Sequence, residues 1–295
     1  QPSDPYERAL SAALASRSRH LRRDSEGAVV VAVCVSVTTR KLRPSRLEQL
    51  SLFTIMLPSM LKTLSHINTP PPPATGGRKV EIWVYVGYDA GDPFFDRPGR
   101  EQEVEGWIQR HLVEPLRAAG TDLQFVLLRF QNHVGKPGPA FNFLTRAAFD
   151  DGAEYLCRVN DDTKFITHAW PVDSIGLLKG FNPSNVGVVG PVCHEGNTKI
   201  LTHDFVHRTH LEIFDFYYPP VFTDWWMDDW ITKVYDERMR RGPWLVKHYV
   251  NVHGTRYVID YTREKFLAPE LRQGRRRLKR YLSELCKQDK CSSTV

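Results

Sequence analysis

The chain has 295 residues, 41% of them hydrophobic and 25% charged, with a net charge of +6. That supplies one large core or two small ones, and no apolar run approaches the roughly 20 residues that span a bilayer. Five cysteines without a C-x-x-C pair argue against a zinc ribbon or a disulfide-rich scaffold. Much of the positive charge sits in "LRQGRRRLKRY" (271–281), and no zinc-finger spacing, RNP motif or basic zipper accompanies it. No nucleic acid is therefore expected as a partner.

Residues 1–27 read as a polar lead-in with no apolar core of a signal peptide. "AVVVAVCVSVTTR" (28–40) is a near-continuous β-branched run of the kind that parallel sheets bury on both faces. A helix is predicted after Pro44, interrupted near Pro58, followed by a polyproline-like loop over 68–77. "KVEIWVYVGYDAGDP" (79–93) is a second strand ending in acidic turn residues. A helix around 100–119, a strand over 122–130, a loop over 132–140 and a helix over 140–152 with a glycine stop come next. "EYLCRVNDD" (154–162) is the fourth strand.

This alternation predicts an α/β fold with a doubly wound, mainly parallel sheet, whose ligand crevice lies at the carboxyl ends of the strands. Thr38, Thr39 and Arg40 follow strand one, Asp89 and Asp92 strand two, and Asp161 and Asp162 strand four. Beyond residue 170 come a short strand with a glycine loop (185–197) and "FTDWWMDDWITKVYDERM" (222–239), which continues as a helix. "WLVKHYVNVHGTRY" (244–257) reads as a strand ending in His253, and a basic helix and tail occupy 266–295. Cys34 and Cys157 read as core thiols. Cys286 and Cys291 are close enough to pair in an oxidising compartment, and a reduced tail is equally open.

A buried carboxylate is costly unless it is paired or binds a metal. Asp161 and Asp162 fit as oxygen ligands for a hard cation, Mg²⁺ or Mn²⁺, with a supplementary His253 favouring Mn²⁺. The alternative is an Asn-Asp-Asp turn built from turn-forming residues. Neither a Walker A loop nor G-x-G-x-x-G is present, so a metal would have to neutralise any phosphates.

In order and placement, these segments resemble the GT-A class of nucleotide-sugar-dependent glycosyltransferases. The resemblance implies a Rossmann-like GT-A fold, a mainly parallel central sheet with helices on both faces. Its nucleotide-sugar-binding half would cover 28–170 and its acceptor-binding half 171–265. "VNDDTKF" resembles the DxD-type motif, with Asn160 where the first acid often stands. The match makes Asp162 the metal ligand, with Asp161 and Asn160 near ribose and metal. "GKPGPAFN" resembles the loop-helix segment that faces the nucleotide and carries over Lys136 and Asn142. Asp89 matches a base-contacting position, and Thr38 and Arg40 line the same edge.

"VNVHGTRY" resembles the late strand-end histidine, making His253 a further metal ligand. "WWMDDW" resembles the element whose acid activates the acceptor in inverting members: Asp229 would be the base and Asp228 would hold acceptor hydroxyls. Acids in a first helical turn also favour the helix dipole, but that does not account for three tryptophans in six residues. Trp225 and Trp226 suit the apolar faces of an acceptor sugar. The implied reaction moves a sugar from a nucleoside diphosphate, UDP by preference, to a carbohydrate or glycoprotein hydroxyl with Mn²⁺ or Mg²⁺. Arg158, Lys136 or Arg256 would add positive charge at the diphosphate. A retaining transferase, a metal-dependent nucleotidyl or phosphoryl enzyme and a non-catalytic carbohydrate-binding relative are the rival readings. Class membership would place the chain in the Golgi lumen behind an anchor, with the lead-in as the end of a stem; a cytoplasmic location is the alternative.

Overall fold

The computed structural model describes residues 27–195, 197–250, 252 and 254–287. The lead-in before Gly27, His253 and Cys291 lie outside the described residues.

β1 (Val29–Val37) is the axis of the sheet, and its alternation decides the layers. Val29, Val31, Val33, Val35 and Val37 point into one core, and Val30, Ala32 and Cys34 into the other. A β-branched run with both faces apolar can be stable only when covered twice. The first face is covered by α1 (Leu57–Leu64), α2 (Arg100–Ile108), α3 (Glu114–Ala118) and α5 (Trp170–Lys179). The other carries α4 (Pro137–Asp150), α6 (Thr209–Phe214), α7 (Met227–Val234) and α8 (Leu267–Lys287).

The remaining strands are β2 (Val80–Asp89), β3 (Leu123–Phe130), β4 (Tyr155–Asn160), β5 (Thr163–Phe165), β6 (Val188–Cys193), β7 (Asp204–His207) and β8 (Met239–His248). All eight form one sheet in the order β3-β2-β1-β4-β7-β6-β8-β5. The pairs β1–β2, β1–β4, β2–β3 and β6–β8 are parallel, whereas β4–β7, β6–β7 and β5–β8 are antiparallel. The fold is thus Rossmann-like and mixed α/β, and the sheet draws strands from both sides of residue 170. The chain order reverses between β1 and β4, which is where ligands enter such sheets.

The sheet cannot be flat. Only Asp161 and Asp162 separate β4 from β5, yet β5 lies four places further along the sheet. Four strand spacings are roughly 19 Å, and three Cα–Cα steps reach at most about 11 Å. The sheet therefore curls until its last strand returns beside β4, and the acidic turn closes that curl. Thr163 then faces His248 in the β5–β8 register.

One helix differs from the sequence expectation, and the one expected around 100–119 is present with a widened turn inside it. The segment after Pro44 is continuous from a wide π-turn at Leu52–Met56 into α1, and a second π-turn at Gln109–Val113 joins α2 to α3. Each π-turn is followed within two residues by a proline, Pro58 or Pro115. Proline has no N–H for the carbonyl four residues back, and widening the turn keeps the helix going across the gap. The last predicted strand ends at His248 and not at His253.

Gly138, in the first turn of α4, donates its N–H to Thr223 O at 2.8 Å. A Cβ there would lie 2.4 Å from Phe222 O and 2.9 Å from Thr223 O. Backbone atoms on both sides leave it nowhere to go, so Gly138→Ala should lower stability by roughly 2 kcal/mol. Urea denaturation monitored by tryptophan fluorescence would measure the shift in midpoint.

Candidate active site

A cavity of about 350 Å³ opens where the carboxyl ends of β1, β2 and β4 meet the segments around residues 132–137, 224–228 and 254–257. Its lining includes four fixed cations, Arg40, Lys136, Arg158 and Arg256, and five carboxylates, Asp89, Asp161, Asp162, Asp224 and Asp228. Burial on this scale is tolerable only if nearly every charge is answered, and the pairing can be followed side chain by side chain.

At one corner Arg40 ion-pairs with Asp89, and its Nη1 donates to Gly135 O at 2.6 Å. Burial pushes the Asp89 carboxyl above its ordinary value, while hydrogen bonding from Asn132 and the Arg40 charge pull it back. Asp92, one turn on, is spent on the fold. It accepts from the Thr39 backbone and hydroxyl at 2.7 and 2.6 Å and from the N–H groups of Phe94 and Phe95 at 3.0 Å each.

In the β4–β5 turn the two acids have different neighbours. Asp161 takes a bidentate grip from Arg256 at 2.6 and 3.0 Å, and Arg256 also donates to Thr38 O at 2.7 Å. Each Asp161 oxygen thereby accepts one hydrogen bond from the same guanidinium, so its charge is already answered. Asp162 Oδ1 lies 3.1 Å from His248 Nε2 and makes no hydrogen bond. The same nitrogen is 3.0 Å from Asn160 Nδ2, and its single lone pair or proton can serve only one of the two groups. His248 Nδ1 is buried without a partner. Asp162 is therefore the carboxylate left without a full countercharge.

On the opposite wall, Lys136 Nζ reaches Asp224 Oδ2 at 2.7 Å. Asp224 is completely buried and also accepts from the N–H groups of Trp225 and Asp260 at 2.7 and 3.1 Å. Arg158 forms the floor: it donates to Thr202 O, lies 3.3 Å from Asp228 Oδ1 and sits 4.5 Å above the Phe141 ring. Burial raises the Asp228 pKa, the Arg158 charge opposes that, and Asp229 adds to it. Tyr257 closes the wall, its phenol pushed up to about 12 by burial and then by Asp228.

Within "WWMDDW" the acid expected as the base, Asp229, does not line the cavity. Asp228 lines the cavity, whereas Asp229 points along α7 and ion-pairs with Lys233 one turn on. The helical phase is set at Trp226, whose φ of 65° puts a non-glycine residue in the left-handed region at the helix start. Trp225 lines the mouth at 46% exposure. Trp226 stands behind it, and both rings meet Tyr261, with centroids 5.7 and 6.1 Å away.

Asn142 does not line the cavity. Its Oδ1 accepts from the N–H groups of Tyr217 and Tyr218 at 3.1 and 2.8 Å, and its Nδ2 donates to Tyr218 O at 2.9 Å. The expected nucleotide contact is replaced by a brace for the 217–218 segment. Thr38, Arg40, Asp89, Lys136, Arg158, Asn160, Asp161 and Asp162 do converge on the cavity.

His248 was missed, although a signal was available. Trp244, Val246 and His248 alternate along β8, and the first two are buried, so the inward histidine ends that run. Asp224 gives no comparable signal, because its partner lies 88 residues away. Among the described residues, no group of three or more His, Cys, Asp or Glu side chains forms a metal site.

No protein-family model matches the chain, and no curated protein sequence matches it. Solved structures are similar to it. Residues 1–349 of TarS from S. aureus align at 14% identity over 82% of this chain and 65% of that one, with a TM-score of 0.46. The same fragment in complex with UDP aligns at 14% identity over 87% and 72%, with a TM-score of 0.48. A further TarS structure aligns at 13% identity, covering 82% of this chain and 39% of that one, with a TM-score of 0.46. The chain spans less than two thirds of the first of these.

Beneath the floor, Asp204 is fully buried and accepts from the hydroxyls of Tyr217 and Tyr218. Burial raises its pKa to about 6. The folded protein thus holds this proton where the unfolded chain has already released it, so ionisation of Asp204 destabilises the fold as pH rises. Relative to Asp204→Asn, the wild type should lose roughly 2 kcal/mol of stability between about pH 4 and pH 7. Urea denaturation of both proteins at each pH would read that difference.

Proposed function

We propose that the cavity is the donor and reaction site of a metal-dependent glycosyltransferase acting on a nucleoside diphosphate sugar, with UDP as the nucleotide. The observation that carries this reading is the charge balance. Four cations answer four of the five carboxylates, leaving Asp162 with an unsatisfied oxygen beside a histidine nitrogen. Adding a diphosphate to such a cavity requires added positive charge. The donor set fits: one carboxylate oxygen and one imidazole, with phosphate oxygens and water completing the shell, suit a Mn²⁺ or Mg²⁺ bound chiefly through substrate. Asp162 and His248 would hold that ion, which when bound supplies charge to a departing diphosphate.

The protein's own groups have separable tasks in this reading. The Arg40–Asp89 corner offers hydrogen bonds to a base, and Asn160 and Asp161 border a ribose. Lys136 and Arg256 are restrained by their acids, so both are oriented before a phosphate arrives and less freedom is lost on binding. The exposed Trp225 face would carry the apolar side of an acceptor sugar. Asp228 takes the role expected for Asp229. The Arg158 charge opposes the rise in the Asp228 pKa that burial causes, and the ionised carboxylate accepts the acceptor hydroxyl proton as that oxygen bonds to the anomeric carbon. The bond from that carbon to the phosphate oxygen breaks with its electron pair on the nucleoside diphosphate, and the stereochemistry inverts.

Titration calorimetry with UDP, with and without Mn²⁺, tests the donor half. The wild type should bind at least about tenfold more tightly with the metal, and Asp162→Ala should lose that gain. Equal affinity in both conditions would defeat the proposal. Asp228→Asn should bind UDP normally and lose roughly 10²- to 10⁴-fold in transfer rate. Asp229→Asn should stay within about twofold of wild type, as expected for a surface pair. A nucleotide-sugar hydrolysis screen with Mn²⁺ would identify the donor to be used.

A further inference from the structure

The helix α8 carries seven basic side chains against two acidic ones, which is five of the chain's six net positive charges on 21 residues. One side of it is committed to the core. Leu271, Leu278, Tyr281, Leu282 and Leu285 pack into the second hydrophobic cluster, and Gly274 lies against Val234 and Trp230. At about 100° per residue, Arg272, Arg275, Arg276, Lys279, Arg280 and Lys287 fall within one arc of roughly 140°, and both Glu270 and Glu284 fall outside it. All six basic residues are exposed. Among the described residues, Arg272, Arg276, Lys279 and Arg280 have no ion-pair partner.

Repulsion between like charges so closely spaced disfavours the arrangement unless an anionic partner offsets it. We infer that this face of α8 docks on the surface of a membrane containing anionic lipid. The face is convex and regular, so it presents its charges together to a plane and offers no groove to a strand. It carries no aromatic ring on which bases or sugars would stack, because Tyr281 is turned into the core. The segment leading into α8 exposes Val258 and Tyr261, at 80% and 63%, and a tyrosine suits the headgroup level. Tyr261 touches Trp225 and Trp226, so docking would hold the cavity mouth near the lipid surface.

The test is co-sedimentation of the full chain with phosphatidylcholine vesicles, with and without about 30 mol % phosphatidylserine. The wild type should bind only the anionic vesicles and be released as ionic strength rises from about 0.1 M to about 0.5 M. Arg272→Gln, Arg276→Gln, Lys279→Gln and Arg280→Gln combined should weaken binding at least about tenfold. Arg272→Lys, Arg276→Lys, Lys279→Arg and Arg280→Lys combined should bind like the wild type, since only charge is read. Circular dichroism should show both variants folded. Equal binding to neutral vesicles, or unchanged binding by the glutamine variant, overturns the inference. Retention on heparin without vesicle binding also overturns it, in favour of an anionic polymer.

Discussion

A two-residue link between β4 and β5 is the constraint from which the rest of the structure follows. It spans four places in the sheet and can do so only because the sheet curls. Curling brings the end of β8 against the end of β4, and with it His248 against Asp162. The link consists of two carboxylates, so the tightest point of the fold is also its most acidic. Arg256, arriving from a distant part of the chain, neutralises one of them. Hence the geometry of the turn and the electrostatics of the cavity have a common origin.

Around that turn the cavity is organised as a ring of preformed ion pairs. Such pairs seldom stabilise a protein much, since removing two charges from water costs about what their attraction returns. Their effect is on position. Each long cationic side chain is held in one rotamer range by a buried acid, and the acids are held by backbone donors, as Asp224 is by Trp225 and Asp260. The deeper Asn142–Tyr217–Tyr218–Asp204 network keeps the floor from moving beneath Arg158.

Much of this was legible in the residues. The valine run of β1, the alternation of strands and helices, and acids at successive strand ends all follow from period and residue type. What was not legible depended on distance or on phase. His253 looked terminal because the apolar pattern loosens only after it, yet pairing with the short β5 ends β8 at His248. Asp228 and Asp229 are adjacent in sequence but about 100° apart on a helix, and the left-handed Trp226 decides which one faces inward. Asn142 resembled a ligand contact, whereas its amide is consumed by three backbone groups more than 70 residues away.

Gly138 joins α4 to the strand of backbone before α7 without an intervening side chain. Lys136 and Asp224 sit on either side of that seam and are themselves paired. The wall that holds Lys136 and the wall that presents Trp225 are consequently one mechanical part. A change that loosens the Trp225 side of the seam therefore displaces the Lys136 side as well. Through Asp224 the same part also reaches Asp260, so residues on three segments far apart in the chain move as one.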